Sequence, residues 1–128
     1  MSWSSKIFAN TLFISDLEKS KEFYSKVFEK SAVFEDENSV VFSFGETLIN
    51  LLVQSEAPEL IAPATVAESS SGSRFQLTIQ VLDVDAQAER LSNLGISLIN
   101  GPLDRPWGIR TILFADPDGH LWELAQDI

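Results

Sequence analysis

Cysteine is absent from this 128-residue chain, and histidine occurs once, as His120. The first absence excludes disulfides, thiolate zinc sites and a Cys nucleophile. The second leaves Ser–His and paired-His mechanisms without support. Basic residues are scarce: 9 Lys and Arg stand against 19 Asp and Glu, for a net charge of −10. Such a surface repels phosphate backbones, so no nucleic-acid partner is expected, and the acidity reads first as solubility. No apolar run approaches the ~20 residues needed to cross a bilayer. The opening Met1-Ser2-Trp3-Ser4-Ser5-Lys6 carries no apolar h-region. No membrane partner and a cytoplasmic location are the resulting expectations.

What the chain does have is a pattern written twice. Ile14-Ser15-Asp16-Leu17 returns as Val81-Leu82-Asp83-Val84, each copy closing a strand-like run and opening an amphipathic helix. The copies end in Leu48-Ile49-Asn50-Leu51 and Leu121-Trp122-Glu123-Leu124. A unit built twice pairs its copies, and the groove between them is a natural ligand site.

The spacing predicts a strand from Phe8 to Ile14, then a helix opened by the capping box Ser15-Asp16-Leu17-Glu18. Its apolar stripe is Leu17, Tyr24, Val27 and Phe28. Strands follow over Ala32–Phe34 and Val40–Phe44, around the acidic turn Glu35-Asp36-Glu37-Asn38, and over Thr47–Val53. Residues 54–73, with Pro58, Pro63 and Ser69-Ser70-Ser71-Gly72-Ser73, read as a linker between module one (6–53) and module two (74–126). In the second module Phe75 to Val81 alternates cleanly, with Phe75, Leu77, Ile79 and Val81 on one face and Arg74, Gln76, Thr78 and Gln80 on the other. Asp83 is the N-cap and Gly95 the C′ residue of a helix with the stripe Val84, Ala88, Leu91 and Leu94. A short strand over Ile96–Ile99, a loop from Gly101 to Gly108, and strands over Ile109–Ala115 and His120–Ala125 around Asp116-Pro117-Asp118-Gly119 complete the order β-α-β-β-β, linker, β-α-β-β-β.

Two stretches carry a family resemblance: Ser15-Asp16-Leu17-Glu18-Lys19-Ser20-Lys21-Glu22-Phe23-Tyr24 and, more specifically, Phe114-Ala115-Asp116-Pro117-Asp118-Gly119-His120-Leu121-Trp122-Glu123. With them the chain resembles the vicinal-oxygen-chelate superfamily, which includes glyoxalase I, extradiol dioxygenases and bleomycin-resistance proteins. The resemblance implies an α+β fold in which two βαβββ modules form a cup-shaped mixed sheet. It also implies a homodimer. Relatives often have glycine where this chain has Glu29, so the first helix is expected to end differently here.

Metal-dependent members of the superfamily place ligands on the first and last strand of each module. The corresponding positions hold Ala9, Asn50, Gln76 and Glu123. Ala9 offers no donor, Asn50 and Gln76 offer neutral carbonyls, and Glu123 is the one anion. The expectation is no cofactor, with a weakly bound divalent metal as the alternative. Gln76 and Glu123 either satisfy polar contacts at a sheet surface or hold a ligand. Glu123, with Leu121 and Ala125, should face the cup, and Trp122 and Leu124 the helices. Thr78 shares the polar face.

The segment Arg105-Pro106-Trp107-Gly108-Ile109-Arg110 offers two readings. Trp107 stacks on a planar ligand while an Arg, with Arg110 expected to reach the cup, holds its anionic group. Or Trp107 packs the loop down and Arg110 pairs with Glu123 or Asp104. Phe13, Leu48, Phe42 and Phe44 are candidates for apolar cavity wall, or for ordinary core. His120 reads as a turn or helix-side residue. Two functions remain open: a metal-free small-molecule binding protein like the bleomycin-resistance branch, or a glyoxalase-like lyase, isomerase or dioxygenase using a weak metal or Glu123 as general base.

Overall fold

Alternation in the strands and 3.6-residue periodicity in the helices build two four-stranded mixed sheets in an α+β fold. The computed structural model describes residues 2–128. The chain divides into two compact units between Glu68 and Ser69. Among the described residues, no helix is long and apolar enough to cross a membrane.

The first unit contains β1 (Ala9–Ile14), α1 (Leu17–Val27), β2 (Phe34–Glu35), β3 (Ser39–Phe44), β4 (Thr47–Val53) and the short α2 (Pro58–Ile61). Its sheet order is β1-β4-β3-β2, with β1 parallel to β4 and the other pairs antiparallel. Helix α1 packs on β3 and β4. Leu12, Ile14, Val40, Phe42, Ile49 and Leu51 from the strands, with Tyr24 and Val27 from α1, are buried. Each such side chain stabilises the unit by roughly 1.5–3 kcal/mol relative to leaving it exposed. Ser20 lies on the same buried face of α1, and its hydroxyl has no hydrogen-bond partner among the described residues.

Several local expectations need correction. The N-cap of α1 is Asp16, whose carboxylate accepts from the Lys19 backbone N–H at 3.1 Å; Ser15 lies one residue before it. A carboxylate at the positive helix end is favoured over a hydroxyl by the helix dipole. The helix does not avoid the left-handed conformation at its end: Glu29 adopts φ +53° just after the C-cap Phe28. The acidic turn begins later than expected, since Glu35 belongs to β2 and Ser39 to β3. Asp36 Oδ1 closes it by accepting from the Asn38 and Ser39 backbone N–H groups and the Ser39 hydroxyl. The linker segment, residues 54–73, carries short elements of its own. A 3₁₀ turn over Gln54–Glu56 leads into α2, Ala57 is buried, and a second 3₁₀ turn covers Ser69–Ser71.

The second unit contains β5 (Gln76–Gln80), α3 (Val84–Asn93), β6 (Asn100–Arg105), β7 (Ile109–Ala115) and β8 (Leu121–Asp127). Its order, β5-β8-β7-β6, repeats that of the first sheet, again with one parallel pair, β5 with β8. Asp83 caps α3 through the Ala86 N–H, and Gly95 takes φ +81° beyond the C-cap Leu94, both as the spacing predicts. Helix α3 packs on β6, β7 and β8. Val84, Leu91, Ile112, Phe114, Trp122 and Leu124 form the buried core.

The expected strand over Ile96–Ile99 is displaced. The strand is β6, which begins at Asn100 and takes up the first five residues of the expected loop Gly101–Gly108, so that only Pro106 to Gly108 turn. Pro102 and Gly101 disguised it, because proline and glycine weaken a strand reading. The structure accommodates them on an edge strand, with a register shift between Asn100 and Leu103. Gly101 has φ +89°, and a Cβ there would collide with the Thr111 carbonyl, so only glycine fits.

Candidate functional site

Strand register sorts the side chains of each sheet onto a helix-covered face and an open face. In the second unit Thr78 pairs with Glu123, and Glu123 with Leu113. The Thr78 hydroxyl donates to Glu123 Oε1 at 2.9 Å. By alternation Gln76, Thr78 and Gln80 of β5, Leu121, Glu123 and Ala125 of β8, and Thr111 and Leu113 of β7 share the face opposite α3. Trp122 and Leu124 lie on the other face and are buried, as expected.

The first unit carries the counterpart. Thr11 pairs with Asn50, and the Asn50 amide donates to the Thr11 hydroxyl at 3.3 Å. Ala9, Phe13 and Leu48 lie on the same open face. Thr11 belongs to neither motif, although it stands 67 positions before Thr78, the same offset that relates Ala9 to Gln76. Both sheets thus hold a threonine against the residue at the end-strand position, neutral Asn50 in one and anionic Glu123 in the other. Phe42 and Phe44 are not cavity wall. Phe42 is buried beside Tyr24 (6.0 Å between rings), and Phe44 packs edge-on against Phe28 (5.1 Å), both under α1.

Arg110 is the main correction among the site residues. It pairs with Gln126 and shares the parity of Ile112 and Phe114, which puts it on the helix side. Its guanidinium is held by Asp104 at 2.9 Å and Asp85 at 3.0 Å, tying β6 to the first turn of α3. Those hydrogen bonds, the one to Asp104 first, raise its pKa above the ordinary arginine value. Of the two partners considered for it, Asp104 is present and Glu123 is on the opposite face. Two-residue alternation back from Ile112 was the available signal.

The arginine on the open face is Arg105. It pairs with Ile109, and its Nε donates to the buried Thr111 hydroxyl at 3.1 Å. Its guanidinium carbon lies 6.0 Å from the Trp107 ring centroid. Trp107 is 68% exposed at the hairpin tip and does not pack the loop down. His120 is a turn residue: its Nδ1 is 2.8 Å from Oδ2 of Asp116, a buried carboxylate whose Oδ1 accepts from the Asp118 and His120 backbone N–H groups.

The donor chemistry does not suit a tight transition-metal site. The four corresponding positions supply a methyl group, two amides and one carboxylate, and Glu123 Oε1 already accepts from Thr78. Among the described residues, no group of three or more His, Asp or Glu is arranged to hold a metal ion.

A family model for the glyoxalase-like domain matches residues 8–128. The chain belongs to this family. The glyoxalase-like domain thereby also falls within the vicinal-oxygen-chelate superfamily that its two motifs resemble. It is similar to YraH of Bacillus subtilis (strain 168), with 32% identity over 94% of this chain and 98% of that protein. Among solved structures it is similar to a glyoxalase/bleomycin resistance protein/dioxygenase from Nocardioides, with a TM-score of 0.86 and 25% identity over 100% of this chain and 87% of the other. A glyoxalase-related enzyme from Fulvimarina pelagi gives a TM-score of 0.83 and 26% identity over 97% and 89% of the two chains. These likenesses agree with the two mixed four-stranded sheets of this glyoxalase-like domain.

Proposed function

We propose that this glyoxalase-like domain is a metal-independent small-molecule binding protein whose ligand lies against the open face of the second sheet. The observation that carries the reading is the Thr78–Glu123 pair. A half-buried carboxylate, oriented by one hydroxyl, retains lone pairs for a donor on a ligand. Gln76 and Gln80 flank it with amides, and Leu113 and Leu121 supply apolar contact on the same face. In the first unit, Asn50, Phe13 and Leu48 form a comparable but uncharged surface. Donor chemistry favours a bound organic molecule over a metal, for the reasons given above.

The protein functions as a homodimer in this reading. The edge strands β1, β2, β5 and β6 need partners or protection, and the exposed Phe8 (77%) and Phe75 (55%) sit at the starts of β1 and β5.

A thermal-shift screen of small organic molecules, repeated with Glu123→Gln, tests the function. Ligands that raise the wild-type melting temperature should lose at least about half of that shift in the variant, whose own stability stays within about 1 kcal/mol of wild type. Ligand shifts identical in both proteins would remove Glu123 from the site. Elemental analysis adds a second check: stoichiometric Zn, Ni, Fe or Mn that is lost in Glu123→Gln would replace this reading with the metal-dependent one.

A further inference from the structure

Arg105 is a half-buried guanidinium in a chain with about two acids for every base. Arg110 is held by two carboxylates, and Lys21 and Lys26 are also paired with carboxylates. Among the described residues, Arg105 has no carboxylate partner. Its contacts are the Thr111 hydroxyl and the Trp107 ring. A half-buried guanidinium without a counter-ion bears a desolvation penalty that an incoming anion offsets. Only Nε is engaged, so the two terminal nitrogens keep their N–H groups for an acceptor.

Orientation is already provided. The bond to Thr111, which is itself fully buried, fixes the guanidinium plane from within the sheet. Trp107 presents an exposed indole beside it, an apolar and polarisable surface on which a flat ring stacks. Leu103 and Ile109, on the same face by register, add apolar contact.

We propose that Arg105 and Trp107 form an anion subsite on this face, which takes a planar aromatic group bearing a carboxylate: the acid on the terminal nitrogens of Arg105, the ring against Trp107. This rests on the small-molecule reading above and names the chemical class of part of the ligand. The subsite is separable from Glu123. The strand partners of Arg105 and Glu123 are Ile109 and Leu113, four residues apart on β7. That separation is about 13 Å at ~3.3 Å per residue, so a two-ring acid occupies the Arg105 end without reaching Glu123.

The experiment is a titration of the full chain with 2-naphthoate, its neutral counterpart 2-naphthamide, and acetate, at fixed ionic strength. Binding is read by calorimetry and tryptophan fluorescence. We expect saturable binding of 2-naphthoate, with 2-naphthamide and acetate each weaker by about tenfold or more. Arg105→Gln should weaken 2-naphthoate by about tenfold or more, and Arg105→Lys should restore little of it, because an ammonium lacks the planar fork. Trp107→Ala should weaken it and reduce the fluorescence response. Arg110→Gln, which alters the arginine on the other face, should leave the affinity within about twofold once a circular-dichroism spectrum shows it folded.

Unsaturable 2-naphthoate binding, equal affinity for acid and amide, or an unchanged affinity in Arg105→Gln would each overturn the subsite. Affinity lost in Glu123→Gln but kept in Arg105→Gln would overturn it while leaving the Glu123 reading standing. Affinity lost in Arg105→Gln and kept in Glu123→Gln supports it, whatever the outcome of the wider ligand screen.

Discussion

Single residues in this protein are governed by where their backbone and carboxylates are held. Glu29 occupies a left-handed position that glycine adopts at no steric cost. Glu29→Gly should therefore raise stability, by about 0.5–1 kcal/mol after the unfolded-state entropy of glycine is counted. A urea midpoint that falls on substitution would show that contacts of the Glu29 side chain outweigh the strain. Asp36 lies in an exposed turn, yet its pKa is held below the ordinary 3.8, first by the Asn38 N–H and then by the Ser39 hydroxyl. A depressed folded-state pKa stabilises the protein above the unfolded value, and that contribution is lost as pH falls through the folded one. Wild type should thus lose stability on acidification below about pH 3.8, and Asp36→Asn should show a shallower loss in that window. Equal slopes of denaturation midpoint against pH for the two proteins would contradict this. Both features have a basis in sequence, but of different quality. An acidic turn was legible from Glu35-Asp36-Glu37-Asn38, while the backbone of Glu29 was misjudged because propensity argues against a non-glycine there.

At the scale of elements, helix signals are local, and α3 follows them throughout. Asp83, Val84, Leu91 and Gly95 all take the places that capping and periodicity assign them. The N-terminus of α3 is satisfied twice, by Asp83 on the Ala86 N–H and by Gln126 on the Val84 N–H. Asp83→Ala should destabilise the fold by about 1 kcal/mol, measured by urea unfolding, with Gln126 retaining its own bond. A loss below a few tenths of a kcal/mol would mean that water replaces the cap at no cost. Strands were harder. The strands β4 and β7 have the bounds that the sequence pattern predicts, whereas the pattern over β6 predicts a loop. Edge strands tolerate Pro102 and Gly101 because only one side of the ladder must be satisfied, and composition cannot reveal which strand is the edge. The sequence pattern therefore points to Arg110 as the cation on the open face, while the register gives that place to Arg105.

For the whole molecule, the repeated β-α-β-β-β order leaves two sheets with the same strand sequence and four edge strands among the described residues. Sedimentation equilibrium at micromolar concentration should return about twice the 14.2 kDa chain mass if the proposed homodimer forms. A single species at the chain mass would refute it. The amino-acid sequence by itself determined the superfamily, the duplicated plan, both long helices, the caps of α3, and the candidate carboxylate Glu123. These follow from periodicity, from turn chemistry and from short motifs, each carried by residues near one another along the chain. Only the tertiary structure decided that Thr78 meets Glu123 and Thr11 meets Asn50, across separations of 45 and 39 residues, and that Arg110 belongs to the helix side while Arg105 belongs to the open face. Alternation orders the side chains within one strand. Which residue of a distant strand lies opposite is settled by hydrogen-bond register, and that is a property of the assembled sheet.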